Sequence, residues 1–170
     1  MTIPTLAKVR IRPAAPNDAL GISKVWQAIV AERVYSAVDR AFTPEEQTAY
    51  LASLDKRESI FVAEDDGRIV GFQTLDLWSK FMASAAHVGQ LGTFILRDAR
   101  GRGVGEELAN ATFKFARNAG YEKLVIYVRA SNTGAQAFYK SLGFRECGHL
   151  ARQVKIDGHY DDEILLERAL

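Results

Sequence analysis

The chain is expected to fold as a single α+β domain: a mixed central sheet of about seven strands, layered between about four helices in an α/β/α arrangement. Three observations predict this. Runs with strand patterning alternate with runs of helical period in the order β-α-α-β-β-β-α-β-α-β-β. Asp65–Asp66–Gly67 joins two apolar runs directly, a hairpin signal that makes part of the sheet antiparallel. A third run, Thr93–Phe94–Ile95–Leu96, passes through a glycine-rich loop into a helical stretch, Glu106 to Asn118. At 170 residues, with no repeat, low-complexity tract or linker, one domain over 1–170 is the reading, long enough to bury a full core.

Val9–Arg10–Ile11–Arg12 alternates and reads as a strand, stopped by Pro13 and Pro16. Asn17 or Asp18 caps a helix with Ile22, Val25, Trp26, Ile29 and Val30 on its apolar face. Thr43, Pro44 and Glu46 have the spacing of a capping box with proline at the first helical position, and that helix ends near Leu54 or Asp55. Ser59–Glu64 and Arg68–Leu75 are the hairpin strands. A looser segment around Ser79 to Ala86 leads to a strand from His87 to Leu96, interrupted by Gly89 and Gly92. Val104, Leu108, Ala111, Thr112 and Phe115 form the stripe of the next helix, which Gly120 ends. Lys123 to Val128 is apolar enough for a central strand. Ser131 or Asn132 caps a helix with Ala135, Phe138 and Leu142 inward and Gly143 as its stop. Phe144–Leu150 and Gln153–Leu166 are the last strands, the second interrupted at Asp157–Gly158.

A net charge of +1 provides no basic field for nucleic acid. No apolar run is long enough to span a bilayer, and no signal-peptide pattern is present, so a cytoplasmic protein without membrane or nucleic-acid partners is expected. The single cysteine, Cys147, excludes an internal disulfide and reads as a buried, inert thiol. No metal is expected.

The functional signal is Arg100–Gly101–Arg102–Gly103–Val104–Gly105. Alternating glycines ahead of a helix leave backbone N–H groups uncovered by any Cβ. The helix start adds unpaired N–H groups and the positive end of its dipole, a site for phosphate oxygens. A P-loop is excluded, because no Gly-Lys-Ser/Thr follows the spacer. The dinucleotide fingerprint is a poor fit: Glu106 occupies its third glycine position, and Glu122 precedes the next strand instead of ending it.

A longer constellation fits. Arg100-x-x-Gly103-x-Gly105 resembles the pyrophosphate-binding motif of the GNAT acyltransferase superfamily, Gln/Arg-x-x-Gly-x-Gly/Ala at the head of a helix. Tyr127 to Phe144 resembles the second motif, in which an Asn (here Asn132) caps a helix, a Tyr (Tyr139) follows seven residues later, and Gly143–Phe144 come next. The resemblance is specific over Leu91 to Phe144 and weak over Tyr35 to Lys56. It implies a GNAT domain with acetyl-coenzyme A as co-substrate. It places the pyrophosphate on the N–H groups of Gly101, Arg102, Gly103, Val104, Gly105 and Glu106, helped by Arg100 and Arg102. Backbone groups of Thr93, Phe94 and Ile95 would pair with the pantetheine arm, which behaves as an added strand. Gly92 would form a bulge that splays this strand from Leu124–Val128.

In acyl transfer an amine attacks the thioester carbonyl, an oxyanion develops and a thiolate leaves. The resemblance implies the Ile95 N–H as oxyanion donor, Tyr139 as general acid for the sulfur, and Asn132 as a partner of the pantetheine arm as well as a helix cap. The base stays open. Where many relatives carry a Glu, this chain has Gly89 and Gln90; His87 shares the alternation face of Ile95, and Glu32, Glu64, Asp76, His149 and His159 are further candidates.

The late acidic cluster His159–Tyr160–Asp161–Asp162–Glu163, with Glu32 and Asp39, could hold a cationic acceptor. The segment from Val154 to Asp161 looks like the small-molecule and amino-acid acetyltransferase branch, so the expected acceptor is a small primary amine (amino acid, polyamine or antibiotic-like). A peptide amino terminus, suggested by Val128–Asn132, is the alternative. A non-catalytic coenzyme-A-binding sensor is the alternative of another class, favoured by the missing carboxylate and opposed by Tyr139. A homodimer follows from family habit.

Overall fold

The computed structural model describes residues 9–170. The first eight residues, part of the expected domain and of the N-terminal stretch read for a signal peptide, lie outside the described residues. The elements follow the expected order: β1 (Arg10–Pro13), α1 (Ala19–Glu32), α2 (Pro44–Ser53), β2 (Ser59–Asp65), β3 (Arg68–Leu77), β4 (Val88–Ile95), α3 (Val104–Asn118), β5 (Lys123–Arg129), α4 (Thr133–Ser141), β6 (Arg145–Ile156) and β7 (His159–Ala169). The strands form one seven-stranded sheet in the order β1-β2-β3-β4-β5-β7-β6. Every pairing is antiparallel except β4 with β5.

Local chemistry explains the boundaries. Thr43 Oγ1 accepts from the Glu46 N–H at 3.1 Å, and Glu46 returns the bond to the Thr43 N–H at 2.9 Å, the expected capping box. Asp18 stands at the start of α1, but its carboxylate accepts from the Ala15 N–H and from Arg12 instead of capping the helix. Asp66–Gly67 turns β2 into β3 with both residues in the left-handed region, as the sequence predicts for a tight hairpin.

Each sheet face has its own core. Ile22, Val25, Trp26 and Ile29 of α1 pack on Ile60, Val62 and Phe72. On the opposite face, Val104 and Leu108 of α3 cover Ala63 and Val70, while Ala109 and Phe113 join Tyr139 of α4 over Leu91, Leu124 and Leu166. The stripe of α3 therefore differs slightly from the one expected. Ala109, Phe113 and Ala116 are buried, whereas Ala111 and Phe115 are half-buried. On α4 the buried side chain is Tyr139, with Ala135, Phe138 and Leu142 half-buried around it.

Three expectations are corrected. The last two strands divide at Asp157–Gly158, which makes a second left-handed hairpin turn, and not near residue 151. The two residues left between the expected strands, Ala151 and Arg152, are absorbed by a register shift between Leu150 and Val154, with Arg152 at φ 53°. Cys147 is exposed, because β6 is the edge strand and much of it faces solvent. Gly92 makes no bulge against β3: the register from Gly71↔Ile95 to Leu77↔Gly89 is unbroken.

The splay itself is present. β4 and β5 pair only over Val88↔Lys123, Gly89↔Leu124 and Gln90↔Val125. Beyond that, β4 stays with β3 as far as Ile95, and β5 stays with β7 as far as Arg129. The sheet opens between them.

Candidate active site

The opening leaves backbone groups without partners. Trp78 donates to the Val88 carbonyl at 3.1 Å and Leu96 to the Val70 carbonyl at 2.9 Å, so the even-numbered residues of β4 bond to β3. By alternation, the N–H groups of Thr93 and Ile95 point into the gap. Phe94, in register with Phe72, is turned toward β3 and has no backbone group to offer there. The Ile95 carbonyl is taken by Arg100 Nε at 2.9 Å.

Below the gap lies a cleft of about 700 Å³ between the glycine loop and α4. Gly101 (φ 71°) and Gly103 (φ 80°) adopt the left-handed conformation, with open space where a Cβ would stand. Gly103 is the N-cap of α3 and has no side-chain oxygen to satisfy the helix start. Among the described residues, none accepts from the N–H groups of Gly101 to Glu106. This cradle fits a pyrophosphate. Gly105 serves packing: a Cβ there would come within 2.9 Å of the Phe138 ring.

The two arginines of the motif are engaged elsewhere. Arg100 forms a two-pronged pair with Glu32 at 2.7 and 2.9 Å and lies 4.5 Å from the Tyr35 ring centre. It thereby ties the end of α1 to the loop after β4. Arg102 reaches Asp65 at 3.0 Å. The cradle is thus a backbone device, with both arginine charges already balanced. Glu106 lines the same cleft.

Tyr139 lies at the head of the cleft, buried at 4% exposure. Its hydroxyl donates to Thr93 Oγ1 at 2.6 Å, which also accepts from Gln73 Nε2 at 2.8 Å. Burial pushes the phenol up to about 12, so it holds its proton. Asn132 caps α4 by accepting from the Ala135 N–H at 3.0 Å, and its amide donates to the Tyr35 carbonyl at 3.2 Å.

A second pocket, of about 640 Å³, opens on the α1–α2 side. Thr93, Phe94, Tyr139 and Asn132 line both cavities, so the two meet through the split in the sheet. Trp26, Phe42, Tyr50, Phe72 and Phe94 make the second pocket largely aromatic. Asp76 and Glu163 lie in its wall. Asp76 Oδ1 accepts the Tyr50 hydroxyl, and burial pushes its carboxyl above the usual range. Glu163 is also raised, first by burial and then by Asp161.

The expected bases separate clearly. His87 is exposed and lines neither cavity, because it precedes β4 beyond the end of the gap. Glu32 is paired with Arg100, Glu64 with Arg12, and His149 with Asp162, while His159 sits exposed beside the β6–β7 turn. Asp161 is paired with Arg129. Asp76 alone of the bases considered lines the pocket, on the face opposite to that of Ile95 and beside Gln90 in register. Glu163 belonged to a cluster read only for charge.

Two cavities meeting through a split sheet, with a phosphate cradle at the outer end of one, define a coenzyme-A-dependent acyltransferase. The model of the acetyltransferase (GNAT) family matches residues 26–144, and the chain belongs to that family of acetyl-CoA-dependent enzymes. The chain is 24% identical over 159 residues to YwnH of Bacillus subtilis (strain 168), a proposed phosphinothricin acetyltransferase, covering 91% of this chain and 96% of that one. It is 30% identical over 173 residues to the mycothiol acetyltransferase of Acidothermus cellulolyticus, covering 87% of this chain but only 47% of that protein's length. A phosphinothricin acetyltransferase of Sinorhizobium meliloti, solved in complex with AcCoA, superposes with a TM-score of 0.88 at 17% identity, over 95% of this chain and 88% of that one. At that identity the likeness is one of fold.

Proposed function

We propose that residues 1–170 form one N-acetyltransferase domain that moves the acetyl group of acetyl-CoA to the primary amine of a small molecule, by direct attack when both substrates are bound. The observation that carries this reading is the meeting of the two cavities at Thr93 and Tyr139. A thioester entering from the glycine-loop side and an amine entering from the aromatic side come together there.

The N–H groups of Gly101 to Glu106 hold the pyrophosphate, with no metal. The Ile95 N–H faces the gap along the path of the pantetheine arm. The Thr93 N–H faces it where the cavities join, so the oxyanion falls to Thr93 in place of the Ile95 expected from sequence. One such donor is worth about 10²–10³ in rate. Phe94 contributes its ring and not its backbone. Tyr139, held protonated by burial, gives its proton to the departing sulfur. Asn132 fixes the start of α4, and its amide nitrogen, which gives one N–H to the Tyr35 carbonyl, keeps a second for the arm. Arg100 and Arg102 shape the cradle instead of binding phosphate.

The test is thermal unfolding with saturating acetyl-CoA, with NAD and ATP as controls. Ligand at about a hundred times its dissociation constant stabilises by about 2.7 kcal/mol. A rise specific to acetyl-CoA supports the reading, and no shift at millimolar ligand refutes it. Two further parts of the reading, a cytoplasmic location and a homodimer, rest on sequence pattern and family habit; cell fractionation and light scattering check them.

A further inference from the structure

The charges of the aromatic pocket are unevenly balanced. Four charged side chains line it: Glu46, Asp76, Arg129 and Glu163. Glu46 is bound by Arg40 at 2.9 Å and by the Thr43 N–H. Arg129, the one cation in the wall, is spent on Asp161 at 2.8 Å and on the Arg33 carbonyl at 2.8 Å. Asp76 receives a single side-chain donor, the Tyr50 hydroxyl, and Glu163 has neither an ion pair nor a side-chain hydrogen bond among the described residues. The pocket is thus apolar walls with two carboxylates that form no ion pair among the described residues, Arg129 standing opposite Glu163 in the sheet but bonded to Asp161. An acidic group on the acceptor would find no free cation and would face both.

We propose that the acceptor is a primary amine on an apolar body without an acid group, and that Asp76 receives its ammonium and takes its proton. This rests on the acetyltransferase reading above. It separates the chain from the substrate in the names of two of its relatives, since phosphinothricin carries acid groups. Asp76 is suited to the task by its place. It projects from β3 beside Gln90, on the same face as Phe72 and Phe94. Tyr50 of α2 donates to it, and Thr74 precedes it on the same face of β3. The charges around it are Glu58 and Lys80, paired with each other at 3.1 Å, and, across the same pocket, Glu46, Arg129 and Glu163; Tyr121 is the remaining titratable neighbour. Burial raises the carboxyl and so strengthens it as a base.

The step balances. The ammonium gives one proton to Asp76, and the freed nitrogen lone pair forms the C–N bond. The C–S bond breaks with its electron pair on sulfur, which takes the Tyr139 proton. The second proton lost by nitrogen restores Tyr139, and Asp76 returns its own to solvent. Tyr50 is a positioning residue, acting through Asp76.

The experiment measures thiol release by the full chain with saturating acetyl-CoA and three probe amines: 2-phenylethylamine, phenylalanine (the same body with a carboxylate added) and phosphinothricin. The expected result is a kcat/KM for 2-phenylethylamine about a hundredfold above either acid-bearing amine. Asp76→Asn should lower that value by about 10²–10⁴ with acetyl-CoA affinity and melting temperature retained. Tyr50→Phe removes a donor that favours the carboxylate, so the acid limb of the pH profile should move to higher pH. Preference for phenylalanine or phosphinothricin, unchanged turnover in Asp76→Asn, or no acetylation by a protein that binds acetyl-CoA would overturn the proposal. Failure to bind acetyl-CoA takes down the underlying reading as well, and thermal unfolding tells the two failures apart.

Discussion

The glycine-loop cleft offers a ligand backbone groups, and the aromatic pocket offers it side chains. The first uses N–H groups of one loop and one strand edge, all between Thr93 and Glu106. The second draws Trp26, Tyr50, Asp76, Arg129 and Glu163 from five different elements. On the proposed function, the backbone cradle takes the phosphates of the acetyl donor and the converging side chains take the acceptor. The cavities share Thr93 and Tyr139, so substitutions can be ranked by which side they should disturb and which they should spare.

The largest effect is expected at the shared point. If Tyr139 is the proton donor, as proposed, Tyr139→Phe should lower turnover by about 10²–10⁴ with acetyl-CoA affinity unchanged. In the native protein, burial holds this phenol near 12, so it should cause no alkaline loss of turnover below about pH 10. A kinetic alkaline limb near neutrality that vanishes in Tyr139→Phe would contradict the assignment. A non-catalytic sensor would be indifferent to the substitution.

Next comes the cradle. Gly103→Val forces an L side chain into φ 80°, at a cost of about 1–2 kcal/mol or more. It also tilts the free N–H groups away from the phosphate, so acetyl-CoA should bind about tenfold or more weakly by calorimetry. Affinity for an acceptor amine measured without acetyl-CoA should not change. If both affinities fall together, the two cavities are not independently built.

The same division explains what sequence could show. The cradle and Tyr139 were legible because their chemistry is local: glycines at alternate positions, a helix start, and a tyrosine seven residues after a cap. Most of the fold was legible for the same reason, since period and turn chemistry mark Asp66–Gly67 and Thr43–Glu46 directly. The acceptor pocket was not. Asp76 is separated from Tyr50 by 26 residues, and nothing near either names the other. His87 was favoured because alternation placed it on the face of Ile95, but the pocket lies on the opposite face, with Asp76. The ion pairs of the arginines were hidden in a related way: positive charge beside a phosphate motif suggests a ligand, and Glu32, which Arg100 holds, lies 68 residues away. Cys147 and the late strands failed on edge position and a register shift, both properties of the assembled sheet.

Arg100 gives the third test, of smaller size. If its role is to hold the loop, Arg100→Ala should cost about 1–2 kcal/mol, discounting its partial exposure, and lower the melting temperature by about 2–8 °C. Acetyl-CoA affinity should change less than tenfold. A large loss of affinity with stability intact would restore it as a phosphate ligand.

The smallest effect is expected at Glu163. It lines only the acceptor pocket, on β7, far in sequence from the cradle, and no ion pair among the described residues depends on it. Glu163→Gln keeps its shape and removes one of two uncompensated charges, so KM for a cationic amine should rise only a few-fold, the worth of about 1 kcal/mol. Neither kcat nor acetyl-CoA affinity should move, because Asp76 and Tyr139 remain. The pH profile separates the two carboxylates further. Both are raised by burial, but only the one that takes the proton can set the acid limb of kcat. If Glu163→Gln displaces that limb and Asp76→Asn does not, the base belongs on β7, and the aromatic wall around Asp76 serves binding alone.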